Sequence, residues 1–510
     1  MKKSFYLVLF CAAFAFIGCD SDVPTARSIE IDGLYYNLYY SKKEAEVVYQ
    51  SNHIHEINYA GLKEADIPSS VEYKGTTYTV TEIDFAAFSS CPNLETVTIP
   101  NSVKRIDDCA FSKSVKLQSV YIPNSVISIG SRAFGECSSL TSIIIPNSIN
   151  TIECQVFELC EALSTVDIPN SVTTIEWDAF YGCASLDSIR IPGSVTMIEK
   201  DAFRAASLAS IIVDESNPIY DSRDNCNAII ETASNTIIVG CKNTVIPNSV
   251  SHIGESAFYS CSGLTSMIIP NNIIEVGEYA FANSGIETFS IGEGVSCIKD
   301  GTFMSCHNLQ SITIPDNVTS IRRGAFSDCD NLQSITIPDN VTSIGSGAFS
   351  DCDTLQTITL PNGLTSIEDR TFYRCENLES ITIPNSVTRI GQSAFSECYA
   401  LKSLSIGNNV TTIGPMAFLW CAQLESISFP SSVNNVGALA VARCYNLTSI
   451  KCYATIPPEI VEYITPGIPS YTYVELGDNC SNITLYVPAG SVEAYKKADQ
   501  WKDFGSILPL

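Results

Sequence analysis

Basic residues are scarce in this chain of 510 residues, which has 29 lysines and arginines against 55 aspartates and glutamates. The net charge of −26 argues against a nucleic-acid partner, because a surface that follows phosphate groups needs clustered lysine and arginine. We interpret the excess of acids mainly as a solvated, self-repelling surface, and an acidic binding site is the alternative.

Signatures of catalysis and of metal binding are missing as well. The chain has four histidines, and no two of its cysteines have the C-x-x-C spacing of a zinc site. It contains no G-x-S-x-G, no Walker A and no G-x-G-x-x-G motif. We therefore predict a protein that is not an enzyme and that uses no cofactor and no metal ion.

Long apolar runs are absent from the N-terminus, where the run from Phe5 to Ile17 is shorter than the ~20 residues that span a bilayer. With Lys2 and Lys3 in front of it, this run predicts a secretory signal peptide over residues 1–18. A secreted chain could bind a partner through its surface. Hydrophobic residues make up 45% of the sequence, which suffices for a large buried core.

The end of this segment, "FIGC", is similar to a bacterial lipobox, although Phe16 stands where leucine is usual. The resemblance implies that Cys19 becomes the first mature residue and carries the lipid, and a plain signal with an incidental cysteine is the alternative. The acidic stretch after Cys19, within a tether over 19–26, resembles the surface-export signal of lipoproteins in the Bacteroidota. We therefore expect a protein that is lipid-anchored in the outer membrane and exposed at the cell surface.

Repetition dominates the rest of the chain, where "LQSITIPDNVTSI" stands at 309–321 and again at 332–344. A phenylalanine recurs with a spacing of 22 or 23 residues, and the one long interval, of 55 residues, lies between Phe203 and Phe258. A period in the twenties predicts a leucine-rich-repeat solenoid. In the unit 332–354 the inward positions should be Leu332, Ile335, Ile337, Val341, Ile344, Ala348, Phe349 and Cys352.

The motif "IPxSVxxIGxxAFxxCxxLxSIxIP" resembles the BspA-like class of leucine-rich repeats, which occur on bacterial surfaces. The resemblance implies a right-handed β/α superhelix, mostly β with short convex turns or helices, and with a parallel sheet on the concave face. We assign 80–452 to about 15 such units, 27–79 to an N-terminal β cap, and 453–510 to a C-terminal cap. The C-terminal cap should contain a strand and a helix with Ser491 as its N-cap.

Two groups of cysteines have different predicted roles. Twelve stand three residues after the repeated phenylalanine or its replacement Val441, and stacked, parallel side chains disfavour disulfides between them. We expect these thiols to pack as small apolar groups. Cys226 and Cys241 instead flank a predicted hairpin in an insertion near 214–245, and a disulfide between them is possible by symmetry.

The outward strand positions indicate where a partner would bind. They are serine and threonine in the C-terminal repeats but vary in the N-terminal ones, where Tyr121, Asp167 and Arg190 form the candidate binding surface. The family resemblance implies adhesion to host or bacterial surface proteins, with no nucleic acid and with the membrane reached only through the lipid. A glycan-binding accessory lipoprotein and a structural surface spacer are the alternatives.

Overall fold

The computed structural model of the chain describes residues 24–49, 59–464, 472–473, 476–477 and 480–510. The signal peptide and Cys19 lie outside the described residues. The chain divides into two compact units, Met1–Glu161 and Ala162–Leu510. Each unit is a parallel β-solenoid with almost no helix, and the units together have about 18 turns, which confirms the predicted fold class.

The first unit begins with a β cap, as the strand-like sequence before the repeats predicts. Its first three strands form an antiparallel sheet, and the third pairs in parallel with Thr76–Ile83. Thr76–Ile83 also pairs with Arg105–Ile106 of the repeats, so the cap saturates the backbone of that strand. The cap strands are Ala26–Ile31, Leu34–Tyr39, Glu44–Val48, Glu64–Asp66, Ser70–Tyr73 and Thr76–Ile83.

Each turn of the solenoids has a first strand of three or four residues and a second, shorter strand. In the first unit the first strands are Thr96–Thr98, Ser119–Tyr121 and Ser142–Ile144. The second strands are Arg105–Ile106, Ser128–Ile129 and Thr151–Ile152.

In the second unit the same two strands recur up to the C-terminal cap. The first strands are Thr165–Asp167, Ser188–Ile191, Ser210–Val213, Ser266–Ile268, Thr288–Ser290, Ser311–Thr313, Ser334–Thr336, Thr357–Thr359, Ser380–Thr382, Ser403–Ser405, Ser426–Phe429 and Ser449–Cys452. The second strands are Thr174–Ile175, Met197–Ile198, His252–Ile253, Glu275–Val276, Cys297–Ile298, Ser320–Ile321, Ser343–Ile344, Ser366–Ile367, Arg389–Ile390, Thr412–Ile413, Asn435–Gly437 and Glu459–Val461.

The alternation of apolar and polar residues explains how a turn packs. In Ser334–Thr336 the isoleucine is buried while the serine and the threonine are exposed. Pro338 follows the strand and donates no N–H, so the strand ends there. Ile335 pairs with Ile358 of the next turn, which places like residues side by side at the ~4.8 Å spacing of paired strands. All eight inward positions predicted for residues 332–354 are buried.

Besides the pairing of the two strands, a third row of hydrogen bonds between turns runs along the return segment. We use this term for the five residues centred on the repeated phenylalanine. In 347–351 the backbone φ is +62° at Gly347 and +58° at Asp351, so the segment makes successive turns instead of a helix. The N–H groups of Gly347, Phe349 and Asp351 donate to carbonyls of the next turn at 3.0, 2.9 and 2.7 Å, those of Asp369, Thr371 and Tyr373. These inter-turn bonds hold non-glycine residues in the left-handed region, which is otherwise uncommon.

The repeated phenylalanines form stacked columns in the core of each unit. Ring centroids of neighbouring turns lie between 5.0 Å, for Phe258 and Phe281, and 5.9 Å, for Phe134 and Phe157. Phe349 lies between Phe326 at 5.4 Å and Phe372 at 5.7 Å, with nearly parallel planes. Offset aromatic stacking adds ~0.5–1.5 kcal/mol per pair to the burial of the rings.

The twelve cysteines of the repeat are free and buried, and nine of them also donate a hydrogen bond to the preceding turn. The Sγ of Cys352 lies 3.1 Å from the carbonyl oxygen of Phe326, one turn earlier. Ser114, at the same repeat position, donates its hydroxyl to the carbonyl of Phe88 at 2.7 Å. The expectation of purely apolar thiols is therefore incomplete. The same thiol bond, of 3.1–3.2 Å, is made by Cys137, Cys160, Cys306, Cys329, Cys375, Cys398, Cys421 and Cys444.

The C-terminal cap continues the sheet of first strands and then closes it. Thr484–Val487 pairs in parallel with Ser449–Cys452 and with Ser506–Pro509. The α-helix Val492–Tyr495 has Ser491 at its N-cap, as predicted, but the Ser491 hydroxyl donates to the carbonyl of Thr455 at 2.8 Å instead of capping the helix. The remaining elements are the strands Tyr463–Ile464 and Thr472–Tyr473 and the 3₁₀ helices Cys480–Asn482, Ala489–Ser491 and Trp501–Asp503.

Candidate binding surface

Outward positions of the first strands are uniform in the C-terminal repeats. The side chains at both ends of these strands are short hydroxyls that project to solvent in register, as in Ser334–Thr336 and Thr357–Thr359. Such a surface offers few anchors, because binding energy usually concentrates in a few large aromatic or arginine side chains.

Tyr121 differs from this pattern in the first unit. It stands at the outward end of Ser119–Tyr121 and is 69% exposed. The adjacent strand Ser142–Ile144 pairs in parallel with it, so Ile144, which is 64% exposed, lies on the next strand at the same outward position. The two side chains form an apolar pair flanked by Thr98, whose strand pairs with that of Tyr121. Exposed apolar side chains that adjoin one another are typical of interaction surfaces.

Asp167 and Arg190 lie in the second unit, also at exposed outward positions. The guanidinium of Arg190 forms an ion pair, because its Nη2 lies 2.5 Å from the carboxylate of Asp214. Arg190 also stands beside Ile212 on the paired strand Ser210–Val213, and Ile212 is exposed. Asp214 and Ile212 are functional candidates that reasoning from the sequence missed, although the 55-residue interval marks their position.

The predicted hairpin is present where the repeat is interrupted. Ala228–Glu231 and Thr236–Gly240 pair antiparallel, and Thr236–Gly240 then pairs in parallel with His252–Ile253 and so rejoins the solenoid. The insertion also contains the strand Tyr220–Asp221 and the 3₁₀ helix Arg223–Asn225. Arg223 binds the carboxylate of Asp221 through Nε at 2.8 Å and Nη2 at 2.5 Å, which fixes the loop.

A groove of about 580 Å³ lies beside the insertion. Arg190 and Ile212 of the first strands line it together with Asp214, Asn217 and Arg223 of the insertion. Two arginines that are each held by an aspartate, next to one exposed isoleucine, suit a partner with both polar and apolar groups.

The structure shows Cys226 and Cys241 as free, buried thiols, and a disulfide between them stays a prediction. The thiol of Cys241 donates to the carbonyl of Asn227 at 3.2 Å. Burial raises the pKa of the Cys226 thiol to about 11, so the thiol is protonated at neutral pH.

Three aromatic side chains form a strip on successive turns near the C-terminal end of the repeats. The ring of Trp420 lies 6.5 Å from that of Tyr399 and 5.6 Å from that of Tyr445, edge-on in both cases. Tyr445 is exposed, and Arg443 lies over the Trp420 ring at 5.6 Å. Aromatic faces on a protein surface are able to stack on sugar rings as well as to anchor a protein.

Three carboxylates in the described residues approach one another closely enough to hold a metal ion. They belong to Glu82, Asp84 and Asp107, and their oxygens lie within 4.8 Å of one another. Burial raises the pKa values of Glu82 and Asp84. Arg105 already supplies a positive charge, since its Nε binds Glu82 at 2.7 Å and its Nη2 lies 3.6 Å from Asp107. The cluster is therefore an arginine-centred ion network.

Comparisons with known proteins agree with the repeat pattern. The family model for the BspA type leucine-rich repeat region matches in six copies, over residues 81–210, 238–356 and 342–463. No curated protein matches the sequence. Within the described part of the chain, we find no helix with the length and apolar character needed to cross a membrane.

Several solved structures resemble the chain. A leucine-rich cell surface protein from Faecalibacterium prausnitzii is 27% identical, with 75% of this chain and 95% of that chain covered and a TM-score of 0.49. A leucine-rich repeat protein from Bacteroides ovatus is 25% identical, with 83% and 94% covered and a TM-score of 0.45. The pneumococcal vaccine antigen PcpA is 17% identical, with 94% and 98% covered and a TM-score of 0.48.

Proposed function

The chain belongs to the BspA-type leucine-rich repeat family, and from this premise we propose that it is a non-catalytic surface protein that binds host or bacterial surface proteins. The observation that carries the proposal is the exposed pair Tyr121 and Ile144 on neighbouring strands. In the first unit the other outward positions of this sheet are serine, threonine, Glu64 and Asp66, so these two side chains are its main apolar anchors.

The groove beside the insertion is the second contact region in this proposal. Its ion pairs are partly exposed, so they favour correct orientation of a partner more than raw affinity. The net charge of −26 favours partners with basic surfaces and disfavours nucleic acid.

The proposal includes secretion through the signal peptide 1–18 and lipid anchoring of Cys19 in the outer membrane, facing outward. Two or more acyl chains hold a protein on a membrane stably.

The test measures binding of the soluble protein from residue 20 onward to a panel of purified mammalian extracellular-matrix proteins by biolayer interferometry. The double variant Tyr121→Ser, Ile144→Thr should weaken binding to any positive partner by about tenfold or more, as for loss of a hot spot of ~2 kcal/mol. The matched control changes Thr336→Ser and Thr359→Ser on uniform strands and should leave binding unchanged. Equal affinities of the double variant and wild type would contradict the assignment of this surface.

A glycan partner is the second candidate, and the aromatic strip of Tyr399, Trp420 and Tyr445 is the observation that favours it. A glycan array with the same protein distinguishes the two. If glycans bind and Trp420→Ala abolishes their binding while Tyr121→Ser does not, the protein is a glycan binder at this strip.

A further inference from the structure

From 256–260 to 416–420 in the second unit, every return segment donates hydrogen bonds forward to the next turn. In 256–260, the N–H groups of Ser256, Phe258 and Ser260 donate to the next turn at 3.0, 2.7 and 2.8 Å. The carbonyls that receive them are those of Glu278, Ala280 and Ala282. A regular turn therefore leaves no free donor on this ladder.

The return segment 201–205 breaks this rule, because the insertion replaces the turn that should follow it. The N–H groups of Asp201, Phe203 and Ala205 have no hydrogen-bond acceptor among the described residues. They are two residues apart along the chain, and φ is +62° at Asp201 and +59° at Ala205. In regular turns the same three N–H groups donate to the carbonyls of the next turn, so here they face the place of the missing turn, where an anionic group would receive them.

The carbonyls of the next return segment are only partly used. That of Ala257 accepts the N–H of Gly240 at 2.8 Å, while those of Glu255 and Tyr259 receive no hydrogen bond among the described residues. A Cβ on Gly240 would lie 2.1 Å from the Phe258 ring, so the backbone of Gly240 packs directly against this ring. Gly240 thereby fills part of the space that the missing return segment would occupy. The rest of this space stays open, with the N–H donors of 201–205 on one side and the carbonyl acceptors of Glu255 and Tyr259 on the other.

A cavity of about 250 Å³ occupies this gap, and an adjoining one of about 300 Å³ shares several of its lining residues. Arg204 lines both, with its guanidinium 4.7 Å from the Tyr181 ring centre and 4.9 Å from that of Tyr259. Its side chain makes no hydrogen bond or ion pair with the described residues, and its Nε is buried. The buried Oδ1 of Asp201 has no donor either.

The other charged groups of the cavity are already engaged. Lys200 and Glu255 form an ion pair of 2.5 Å. Glu199 accepts the N–H of Trp177 at 3.1 Å, and Glu231 accepts the hydroxyl of Ser234. One guanidinium and one carboxylate are therefore left to face the open space.

We propose that this cavity binds a small zwitterion of the α-amino-acid class. The carboxylate of the ligand binds the Arg204 guanidinium and the N–H groups of Asp201 and Phe203, which line the cavity, since a planar guanidinium suits a carboxylate. The ammonium binds Asp201 and the carbonyl oxygens of Glu255 and Tyr259. A simple anion would leave the buried Oδ1 of Asp201 without a donor, and a neutral sugar would leave the Arg204 guanidinium without an anionic partner.

The size of the cavity agrees with this ligand class, since about 250 Å³ is below the usual ~300–1,000 Å³ of sites for drug-sized molecules. The proposal goes beyond adhesion, because the residues of this cavity are not those of the outward strand positions. Under this proposal the interruption of the repeat after 201–205 forms a binding site and is more than a structural variant of the repeat.

The test is isothermal titration calorimetry of the soluble protein with each common L-amino acid, and with sodium acetate, sodium phosphate and glucose. We expect at least one amino acid to bind, and Arg204→Gln to weaken it by about tenfold or more. The matched control is Arg370→Gln, because Arg370 also lies over a tyrosine, Tyr373 at 5.9 Å, in a return segment whose donors are used. This control should bind like wild type.

A second variant keeps the proposal testable if Arg204→Gln does not fold. Asp201→Asn preserves the shape and tolerates the positive φ, and it should also weaken the amino acid by removing the partner of its ammonium. The proposal is overturned if no amino acid binds, if acetate, phosphate or glucose binds as tightly, or if both variants bind like wild type.

Discussion

The repeated cysteines yield a prediction that separates two explanations of their role, as hydrogen-bond donors or as side chains that only fill space. In the structure the carbonyl of Phe326 receives the thiol of Cys352 at 3.1 Å and no other hydrogen bond from the described residues. Burial raises the pKa of the Cys352 thiol well above its ordinary value, so the proton needed for this bond is retained. Cys352→Ala removes the donor, and Cys352→Ser keeps one.

The expected magnitudes follow from the burial of both groups. An unsatisfied buried carbonyl costs ~1–3 kcal/mol, and the lost sulfur adds roughly 1 kcal/mol of apolar burial. The serine variant loses that apolar burial but keeps a donor, as Ser114 does toward the carbonyl of Phe88 at 2.7 Å. We therefore expect the serine variant to be more stable than the alanine variant by ~1–2 kcal/mol.

The assay is guanidinium unfolding of the soluble protein under reducing conditions, followed by circular dichroism. The converse pair at Ser114 is the control: Ser114→Cys should be nearly neutral and Ser114→Ala destabilising. If the thiols only filled space, alanine would be the better replacement, because serine buries an extra hydroxyl. An alanine variant at least as stable as the serine variant, at both positions, would refute the donor role.

Two further predictions concern pH and anchoring. Burial raises the pKa of Glu46 to about 7, above its ordinary value of 4.5, so the folded state binds more protons than the unfolded state between these values. Stability should therefore fall as pH rises through this interval, and the pH dependence of the Tm should be weaker in Glu46→Gln; an identical dependence would contradict the shift. Cys19→Ser should abolish acylation and release the protein from membranes, and labelling of the variant with palmitate would show that the lipobox interpretation is wrong.

The repeat period made much of the fold predictable from the sequence. A spacing of 23 residues between phenylalanines places Phe349 in the core and alternation places Ile335 there, because a repeated unit buries its apolar face only on a copy of itself. The left-handed conformation of Asp351 was not predictable, since aspartate adopts it here only under the constraint of inter-turn hydrogen bonds.

The candidate sites were less predictable than the fold. Tyr121 stands out in the sequence because it replaces a serine or threonine at a position that alternation marks as exposed. The ion pair of Arg190 with Asp214 joins residues 24 apart on neighbouring turns, so local patterns do not reveal it. The N–H groups of Asp201 and Ala205 lack acceptors because the regular turn after them is missing. The interval of 55 residues reveals an insertion, but it does not reveal which hydrogen bonds the insertion leaves unmade.

The central claim is that the turns are equivalent units that contact only their neighbours. Deleting residues 332–354 joins Asn331 to Leu355, which then takes the buried place of Leu332, so every strand keeps its register. Deleting residues 338–348 instead removes half a turn and moves Phe349 out of its column. This should cost several kcal/mol, as is typical when core residues and strand pairing are lost.

Thermal unfolding of the two deletion variants, followed by circular dichroism, tests this claim most directly. The 23-residue deletion should melt cooperatively at nearly the temperature of the wild type, because one turn and one interface are lost from a linear array. The 11-residue deletion should melt at a much lower temperature or without cooperativity. Equal damage from the two deletions would contradict a solenoid of equivalent turns.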